Sequence, residues 1–457
     1  MLYAYVINSS TPARSFADLC LSEEGVAVKD GESAVSLMPK IYASLKEKAE
    51  KEGCLPLIEQ VELPLALVLA EVEETGFYID VEGMKQFSRE LEGAIAEAET
   101  QIYTLAGMTF NINSPKQLAA ILTETLGIPL KKKTKSGYST DVEALEQVRN
   151  LHPIIDEILE YRKLTKLHST YAVGLLREAD ENGRIHTEFR QALTATGRLS
   201  SSEPNLQNIP IKTSLGKRIR AQFCAQGEDY VLVDADYSQI ELRLLAYMSG
   251  DAEMTDAFIN GADIHTRTAS AVFGIPEYAI SEEYRKRAKA VNFGIVYGIG
   301  AYSLSSDLKI SMSQAKQYIE SYFAKYTGIK QYLDAVVEGA SEVGYTMTLF
   351  GRKRYIPELQ SSKKQLKEFG KRVAMNSPIQ GTAADIMKIA MLNVANRLKK
   401  ENLDARIVMQ VHDELVVECH RDCAEKVKTA VAEEMQNAAN LTVPLTVDTT
   451  ITKRWYE

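Results

Sequence analysis

The sequence predicts an α/β chain of about two to four domains, and three observations carry that expectation. At 457 residues the chain is too long for a single hydrophobic core. Apolar, β-branched runs at Tyr230–Ala235 and Arg406–Glu418 border or enclose acidic residues and read as buried strands. Helical periodicity fills most of residues 61–180 and 251–375.

Taken in chain order, residues 1–60 carry the weakest pattern. They hold an apolar opening, Met1-Leu2-Tyr3-Ala4-Tyr5-Val6-Ile7, and a charged helix-like stretch, Leu45–Glu52. The acids Asp18, Glu23, Glu24, Asp30 and Glu32 are scattered among polar residues, and none ends a clear strand. Beyond Val61, the run Met84–Leu105 is long and amphipathic. Ser114-Pro115 supplies an N-cap followed by proline in the first helical turn, and Gly127 ends that helix. A basic loop, Lys131-Lys132-Lys133-Thr134-Lys135, separates it from a helix expected to start near Ser139-Thr140. Asn182-Gly183 is a turn signal, and the alternation in Ile185–Arg190 follows it. That strand is expected to join Tyr230–Asp236 and the 407–418 hairpin in one sheet. Gln239–Met248 then has helix-forming composition, with Ile240, Leu244 and Tyr247 on one face.

A carboxylate at the end of a buried strand costs free energy unless a cation or hydrogen bonds compensate it. Asp236 therefore either caps the helix that follows it or binds a divalent metal. Asp234 lies two residues earlier and points to the same side of the strand, and composition does not choose between the two. In the second run, two apolar flanks place His412, Asp413 and Glu414 near a hairpin tip. A solvated turn accounts for an aspartate there. Two strand-borne carboxylates far apart in sequence also fit a two-metal site, whose ions sit about 3.5–4 Å apart and clamp the oxygens of a phosphoryl transfer. Oxygen ligands select hard cations, magnesium above all.

A third stretch, Arg285–Gly298, reads as helix up to the glycine, with Arg285, Lys289, Phe293 and Tyr297 along one face. Alone, it would be a solvated basic surface running into a core aromatic stripe. Beside two carboxylate segments it suits a nucleoside triphosphate, with cations on phosphate oxygens and rings on base or sugar.

Together these stretches resemble the family A DNA polymerases, of the bacterial DNA polymerase I type, over roughly residues 61–457. Asp236–Arg243 (DYSQIELR) resembles motif A of that family, Arg285–Gly298 (RxxxKxxxFxxxYG) motif B and Gln410–Glu414 (QVHDE) motif C. Thr196-Gly197-Arg198-Leu199-Ser200, Asn205–Pro210, Asp263-Ile264-His265 and Asn376–Thr382 match in the expected order. The resemblance implies a right-hand polymerase fold with an antiparallel palm sheet, helical fingers and a helical thumb. A small N-terminal remnant of an RNase H-like exonuclease domain would precede it. The implied ranges are 1–60 for the truncated remnant and 61–180 for the thumb with a short palm-linking start. The palm would be formed by two segments, 181–250 and 376–457, with the fingers, 251–375, between them. Because the acidic exonuclease motifs are missing from 1–60, synthesis without proofreading is expected.

Carried over residue by residue, Asp236 and Asp413 would bind two magnesium ions, for which manganese can substitute, with the Tyr237 backbone carbonyl as a further ligand. Asp236, Asp413 and Lys289 form the implied catalytic set, with Glu414 a secondary acid nearby. Arg285 and Lys289 would hold the triphosphate with help from His265 and Gln239, while Phe293 and Tyr297 line the sugar and base side. Glu241 would lie beneath the sugar and exclude a 2′-hydroxyl. His412 would support the primer terminus. Arg198, Asn376 and Gln380 would touch the minor groove, whose acceptors are nearly the same for every correct pair, so that contacts there check shape. Asn205, Gln207, Lys131, Lys132 and Lys133 are further expected DNA contacts. The implied partners are primer–template DNA and deoxynucleoside triphosphates, and a cytoplasmic monomer is expected.

Composition narrows the alternatives. A net charge of −9 argues mildly against nucleic-acid binding as a global property, but local basic segments such as Lys217–Arg220 and Arg352–Arg354 matter more than the sum. The five cysteines show neither Cys-x-x-Cys nor zinc spacing, as expected of reduced thiols. Leu63–Ala70, the most apolar helix-like run, is too short to span a bilayer. A single-subunit phage-type RNA polymerase is disfavoured because Glu241 would obstruct the ribose hydroxyl. A metal-dependent nuclease has no need of the Arg285–Tyr297 face. A non-catalytic DNA-binding protein has no reason to combine Asp236 and Asp413 with Lys289.

Overall fold

The computed structural model describes residues 1–10, 15–28, 35–134 and 137–456; Asp30, Glu32 and Lys135 lie outside the described residues. The chain forms two compact units. One comprises Met1–Thr75, Thr187–Gln207 and Gly227–Thr452. The other comprises Gly76–His186, Asn208–Gln226 and the residues from Lys453 onward.

The elements of the larger unit used below are, in chain order, α1 (Leu2–Ile7), α2 (Leu63–Thr75), β1 (Tyr230–Tyr237), α3 (Ile240–Ser249), α4 (Ile264–Phe273) and α5 (Glu282–Val296). They continue with α6 (Thr327–Val343), α7 (Lys364–Lys400), β2 (Ala405–Val411), β3 (Glu414–His420), α8 (Ala424–Gln436) and β4 (Val447–Thr452). The four strands make one antiparallel sheet in the order β2–β3–β1–β4. In β1, Val233, Ala235 and Tyr237 are buried while Asp234 is half-buried and Asp236 exposed, so the second half of the strand alternates. The Tyr237 hydroxyl donates to Met435 O of α8 at 2.6 Å. That bond directs Tyr237 to the α8 side of the sheet and Asp236 to the opposite side.

The expected strand 185–190 does not join this sheet. Arg184–Ile185 pairs with Phe77–Tyr78 in the smaller unit, and Glu188–Arg190 pairs with Ser200–Ser202 in the larger one. The run is divided because the chain passes from one unit to the other at Thr187. The edge of β1 is taken instead by β4, a strand with few large apolar residues and no fully buried position.

Helix α7 runs 37 residues with Pro378 inside it, a length of about 55 Å, and passes through position 375 without a break. Beneath α7 lies a buried ionic group. Lys388 Nζ meets Glu62 Oε1 at 2.7 Å and Arg352 Nη2 meets Asp385 Oδ1 at 2.7 Å, while Arg352 also pairs with Glu62. Two cations and two carboxylates, each at most 1% exposed, thus neutralise one another. Burial alone would raise the Glu62 carboxyl, but Lys388 and Arg352 outweigh it and hold Glu62 at about 2. Next to this group, the Tyr5 hydroxyl donates to Thr194 O at 2.7 Å and Ser9 Oγ to Ala195 O at 3.0 Å. The N-terminal residues thereby anchor the loop that carries Arg198.

Among the described residues, 1–60 contain the helices Leu2–Ile7, Phe16–Glu24 and Met38–Lys51, a short turn of helix at Leu55–Leu57 that runs on into Ile58–Glu62, and no strand. Asp18 closes a capping box with Ser15, Glu23 pairs with Lys48 at 2.5 Å, and Glu24 pairs with Lys40.

In the smaller unit, Val81–Ala106 packs against Ile154–Lys166. Asp80 caps the first helix through Gly83 N–H at 2.9 Å, and Gly107 ends it at φ 70°. The helix expected from Ser139-Thr140 has Asp141 as its N-cap instead, accepting from Ala144 N–H at 2.8 Å. No helix among the described residues is long and apolar enough to cross a membrane, and none of the five cysteines forms a disulfide.

Candidate active site

Strand register builds the acidic site. Asp236 is directly opposite Glu414 on one side and Asp448 on the other, giving a row of three carboxylates across the sheet. Like charges in that position repel. Asp413 sits beside the row in the two-residue turn between β2 and β3, where His412 adopts φ 55°. Burial, then Asp413, Glu414 and Asp448, push Asp236 up to about 7. Burial also raises Asp413, opposed by Arg198 and His412. Asp236 is exposed and not buried as the strand pattern predicts. The protein mass around its carboxyl still costs it solvation, and the three neighbouring acids add like-charge repulsion. Nor does Asp236 cap a helix: the N-cap of α3 is Gln239, at φ 57°.

Glu241, in the first turn of α3, is the meeting point of three elements. Arg198 Nη2 donates to its Oε1 at 2.7 Å, and the Tyr297 hydroxyl donates to its Oε2 at 3.0 Å. Gln380 of α7 hydrogen-bonds to the same carboxyl. Burial raises the Glu241 carboxyl against the pull of Arg198, and burial with the Glu241 charge pushes the Tyr297 hydroxyl up to about 12.

The expected face of α5 forms as a helix against α4. Arg285 Nε donates to Asp263 Oδ2 at 2.5 Å, and Asp263 caps α4 by accepting from the His265 backbone N–H at 3.0 Å. The Lys289 ammonium lies 6.0 Å from the Phe293 ring centroid, which is itself 6.0 Å from the His265 ring. His265 is pushed down to about 4, chiefly by burial, with Lys289 and Arg285 adding to it and Asp263 opposing.

Other expected residues surround this centre. Gln207 Nε2 donates to Gln410 O at 3.2 Å, and Gln410 Nε2 to His412 O at 2.7 Å, which braces the hairpin turn. Asn205 is exposed, with Oδ1 accepting from Ser201 Oγ at 3.2 Å. Asn376 Oδ1 and Gln239 Oε1 are buried with no hydrogen-bond partner among the described residues. Lys131, Lys132 and Lys133 belong to the smaller unit, where Lys132 is already paired with Asp141 at 2.8 Å and Glu143 at 2.9 Å.

Sequence reasoning missed Asp448, whose only signal is the β-branched run Val447–Thr452. It also missed the polar residues behind His265, which are described below.

The donor set at the row is purely oxygen, which fits a hard divalent cation. Among the described residues, no group of three or more His, Cys, Asp or Glu side chains is arranged to hold a metal ion by itself. Two aspartates with a backbone carbonyl nevertheless suit magnesium, which takes one or two carboxylates and completes its shell with substrate phosphates.

Residues 81–457 match the family model for DNA polymerase family A. The chain belongs to DNA polymerase family A. DNA polymerase I of Caldicellulosiruptor bescii is 47% identical over 463 residues, covering all of this chain and 54% of that protein. DNA polymerase I of Bacillus subtilis is 44% identical over 483 residues, again covering all of this chain and 54% of the relative. The chain therefore spans about half the length of these curated relatives. The solved POL domain of Pol1 from M. smegmatis, in complex with DNA primer-template and dNTP, superposes with a TM-score of 0.93 at 40% identity. That match covers 100% of this chain and 81% of the other. The fold is thus a family A polymerase fold, mostly helical with small antiparallel sheets.

Proposed function

We propose that this family A chain is a DNA-directed DNA polymerase that adds deoxynucleotides to a primer 3′-hydroxyl by a two-metal-ion mechanism, without proofreading. The observation that carries this reading is the Glu414–Asp236–Asp448 row beside Asp413, next to a carboxylate, Glu241, that Arg198 and Tyr297 hold in place. In the proposed mechanism Asp236, Asp413 and the Tyr237 carbonyl hold the ions. Magnesium held by these residues would supply Lewis-acid chemistry, lowering the pKa of the primer hydroxyl and offsetting charge on the leaving pyrophosphate.

The remaining steps belong to side chains. Lys289 meets the triphosphate by charge-assisted hydrogen bonds. Arg285 joins it by exchanging Asp263 for phosphate oxygens. Neutral His265 and Gln239 add polar contacts, Phe293 and Tyr297 line sugar and base, and Glu241 blocks a 2′-hydroxyl. Arg198, Asn376 and Gln380 contact the minor groove, with Asn205, Gln207, His412 and Lys131–Lys133 as further DNA contacts. Movement of α5 onto a correct pair gates chemistry. Within this proposal, 1–60 is the remnant, 61–180 the thumb, 181–250 and 376–457 the palm and 251–375 the fingers, in a cytoplasmic monomer.

Primer extension with deoxy- or ribonucleotides, with and without magnesium, tests the proposal. Magnesium-dependent growth of the primer with deoxynucleotides alone is expected. Primer degradation, ribonucleotide preference or binding without extension would each overturn it.

A further inference from the structure

Behind His265 runs a line of buried polar groups on α4, α5 and the residue preceding α6. The hydroxyls of Tyr326 and Thr268 are 3.1 Å apart, Thr268 Oγ1 donates to Asn292 Oδ1 at 3.0 Å, and Asn292 Nδ2 lies 2.9 Å from His265 Nδ1. All four residues are at most 1% exposed.

Proton counting sets the direction of this line. The single hydroxyl proton of Thr268 goes to Asn292 Oδ1, so the threonine oxygen accepts from Tyr326. An amide nitrogen only donates, so Asn292 Nδ2 donates to His265 Nδ1, which must be bare. A neutral ring with a bare Nδ1 carries its proton on Nε2. Running the line the other way, with the Asn292 amide reversed, would leave the Tyr326 hydroxyl proton without an acceptor among the described residues.

We propose that Asn292, Thr268 and Tyr326 are positioning residues that hold His265 in the neutral Nε2–H tautomer, so that the nucleotide face receives a hydrogen-bond donor. This rests on the reading of that face as a triphosphate site. A bare ring nitrogen there would set its lone pair against phosphate oxygens. The charged groups facing the ring are Asp263 from the cap of α4 and Arg285 and Lys289 from α5, with the Phe293 ring alongside. Arg285 and Lys289 supply charge, and His265 supplies a directed neutral donor that does not compete with them for counter-ions. The depressed His265 pKa is consistent with this, because no imidazolium forms at neutral pH.

The test is histidine-selective 13C,15N labelling of the whole chain, whose six histidines give few signals; the His265 signal is identified by its loss in His265→Asn. Ring shifts between pH 6 and 8 are expected to report a single Nε2–H tautomer. Asn292→Asp, whose carboxylate accepts a proton at Nδ1, is expected to move His265 to a ring protonated at Nδ1 and to raise its titration. The same variant should raise KM for deoxynucleotide roughly ten-fold, with kcat and primer–template affinity changed far less. Thr268→Val, which removes the directing hydroxyl, should give mixed tautomers. An Nδ1–H ring in the unmodified protein overturns the proposal without reference to any variant, as does an Asn292→Asp ring that is unchanged. The tautomer is read without nucleotide. An Nε2–H ring in a protein that binds no triphosphate would therefore overturn the proposed nucleotide site, and with it any use for the relay in catalysis.

Discussion

The Tyr297 hydroxyl donates to Glu241 Oε2 at 3.0 Å, joining the C-terminal end of α5 to the first turn of α3. The helix proposed to close on the nucleotide therefore ends on the residue proposed to sense its sugar. Glu241→Ala is expected to lower discrimination against ribonucleotides roughly 10- to 100-fold in single-turnover insertion. Tyr297→Phe keeps the ring and removes the bond, so it should give a smaller change in the same direction. Unchanged selectivity in Glu241→Ala would place the sugar gate elsewhere.

Asp236→Ala and Asp413→Ala should each reduce extension by on the order of a thousand-fold or more, while primer–template binding stays within a few-fold of the unmodified protein. Asp234 pairs with Val416 and Thr450, one step back from the acidic row, so Asp234→Ala should remain active. Substantial activity in either of the first two variants would remove that aspartate from the metal site.

The acidic row also predicts a pH dependence. Burial and the neighbouring acids push Asp236 up to about 7, and only the ionised carboxylate binds a cation, so apparent magnesium affinity should fall as pH drops through 7. Asp448→Asn removes one of the repelling charges and lowers the Asp236 pKa. The acidic limb of magnesium activation should then shift to lower pH. Magnesium titrations of extension at several pH values read this directly, and a limb that does not move with Asp448→Asn contradicts it.

Glu62→Gln removes the carboxylate that pairs with both Arg352 and Lys388 and leaves Asp385, which pairs with Arg352, as the one acid of the buried group. Removing one partner of a buried ionic group costs about 3–5 kcal/mol, to be read from denaturant unfolding at neutral pH. Because the Glu62 carboxyl is depressed to about 2, its stabilisation is present above the ordinary carboxylate range and is lost as pH falls toward 2. The unmodified protein should therefore lose stability on acidification more steeply than Glu62→Gln. Parallel pH profiles would show that Glu62 does not carry this linkage.

A primer with a mismatched 3′ end should persist unshortened in magnesium without nucleotides. Of the acids in residues 1–60, Asp18, Glu23 and Glu24 are taken up by a helix cap and ion pairs. Progressive 3′ shortening that survives Asp236→Ala would reveal a second active site.

Sequence alone determined the local chemistry of this chain. The four-residue spacing of Arg285, Lys289, Phe293 and Tyr297 is a property of helix geometry, so it placed them on one face before any packing was known. The apolar runs around Asp236 and Asp413 likewise marked a strand and a hairpin, because alternation and turn chemistry act over a few residues. Tertiary structure alone decided which strands pair. It put Asp448 opposite Asp236, although β4 has almost no hydrophobic signal, and split residues 184–190 between two units. It also brought Glu62 to Arg352 and Lys388, Arg198 and Tyr297 to Glu241, and Asn292 to His265. These partners lie between 27 and 326 residues apart. Nothing in a short window reports such contacts, because they depend on where distant segments come to rest once the core has closed.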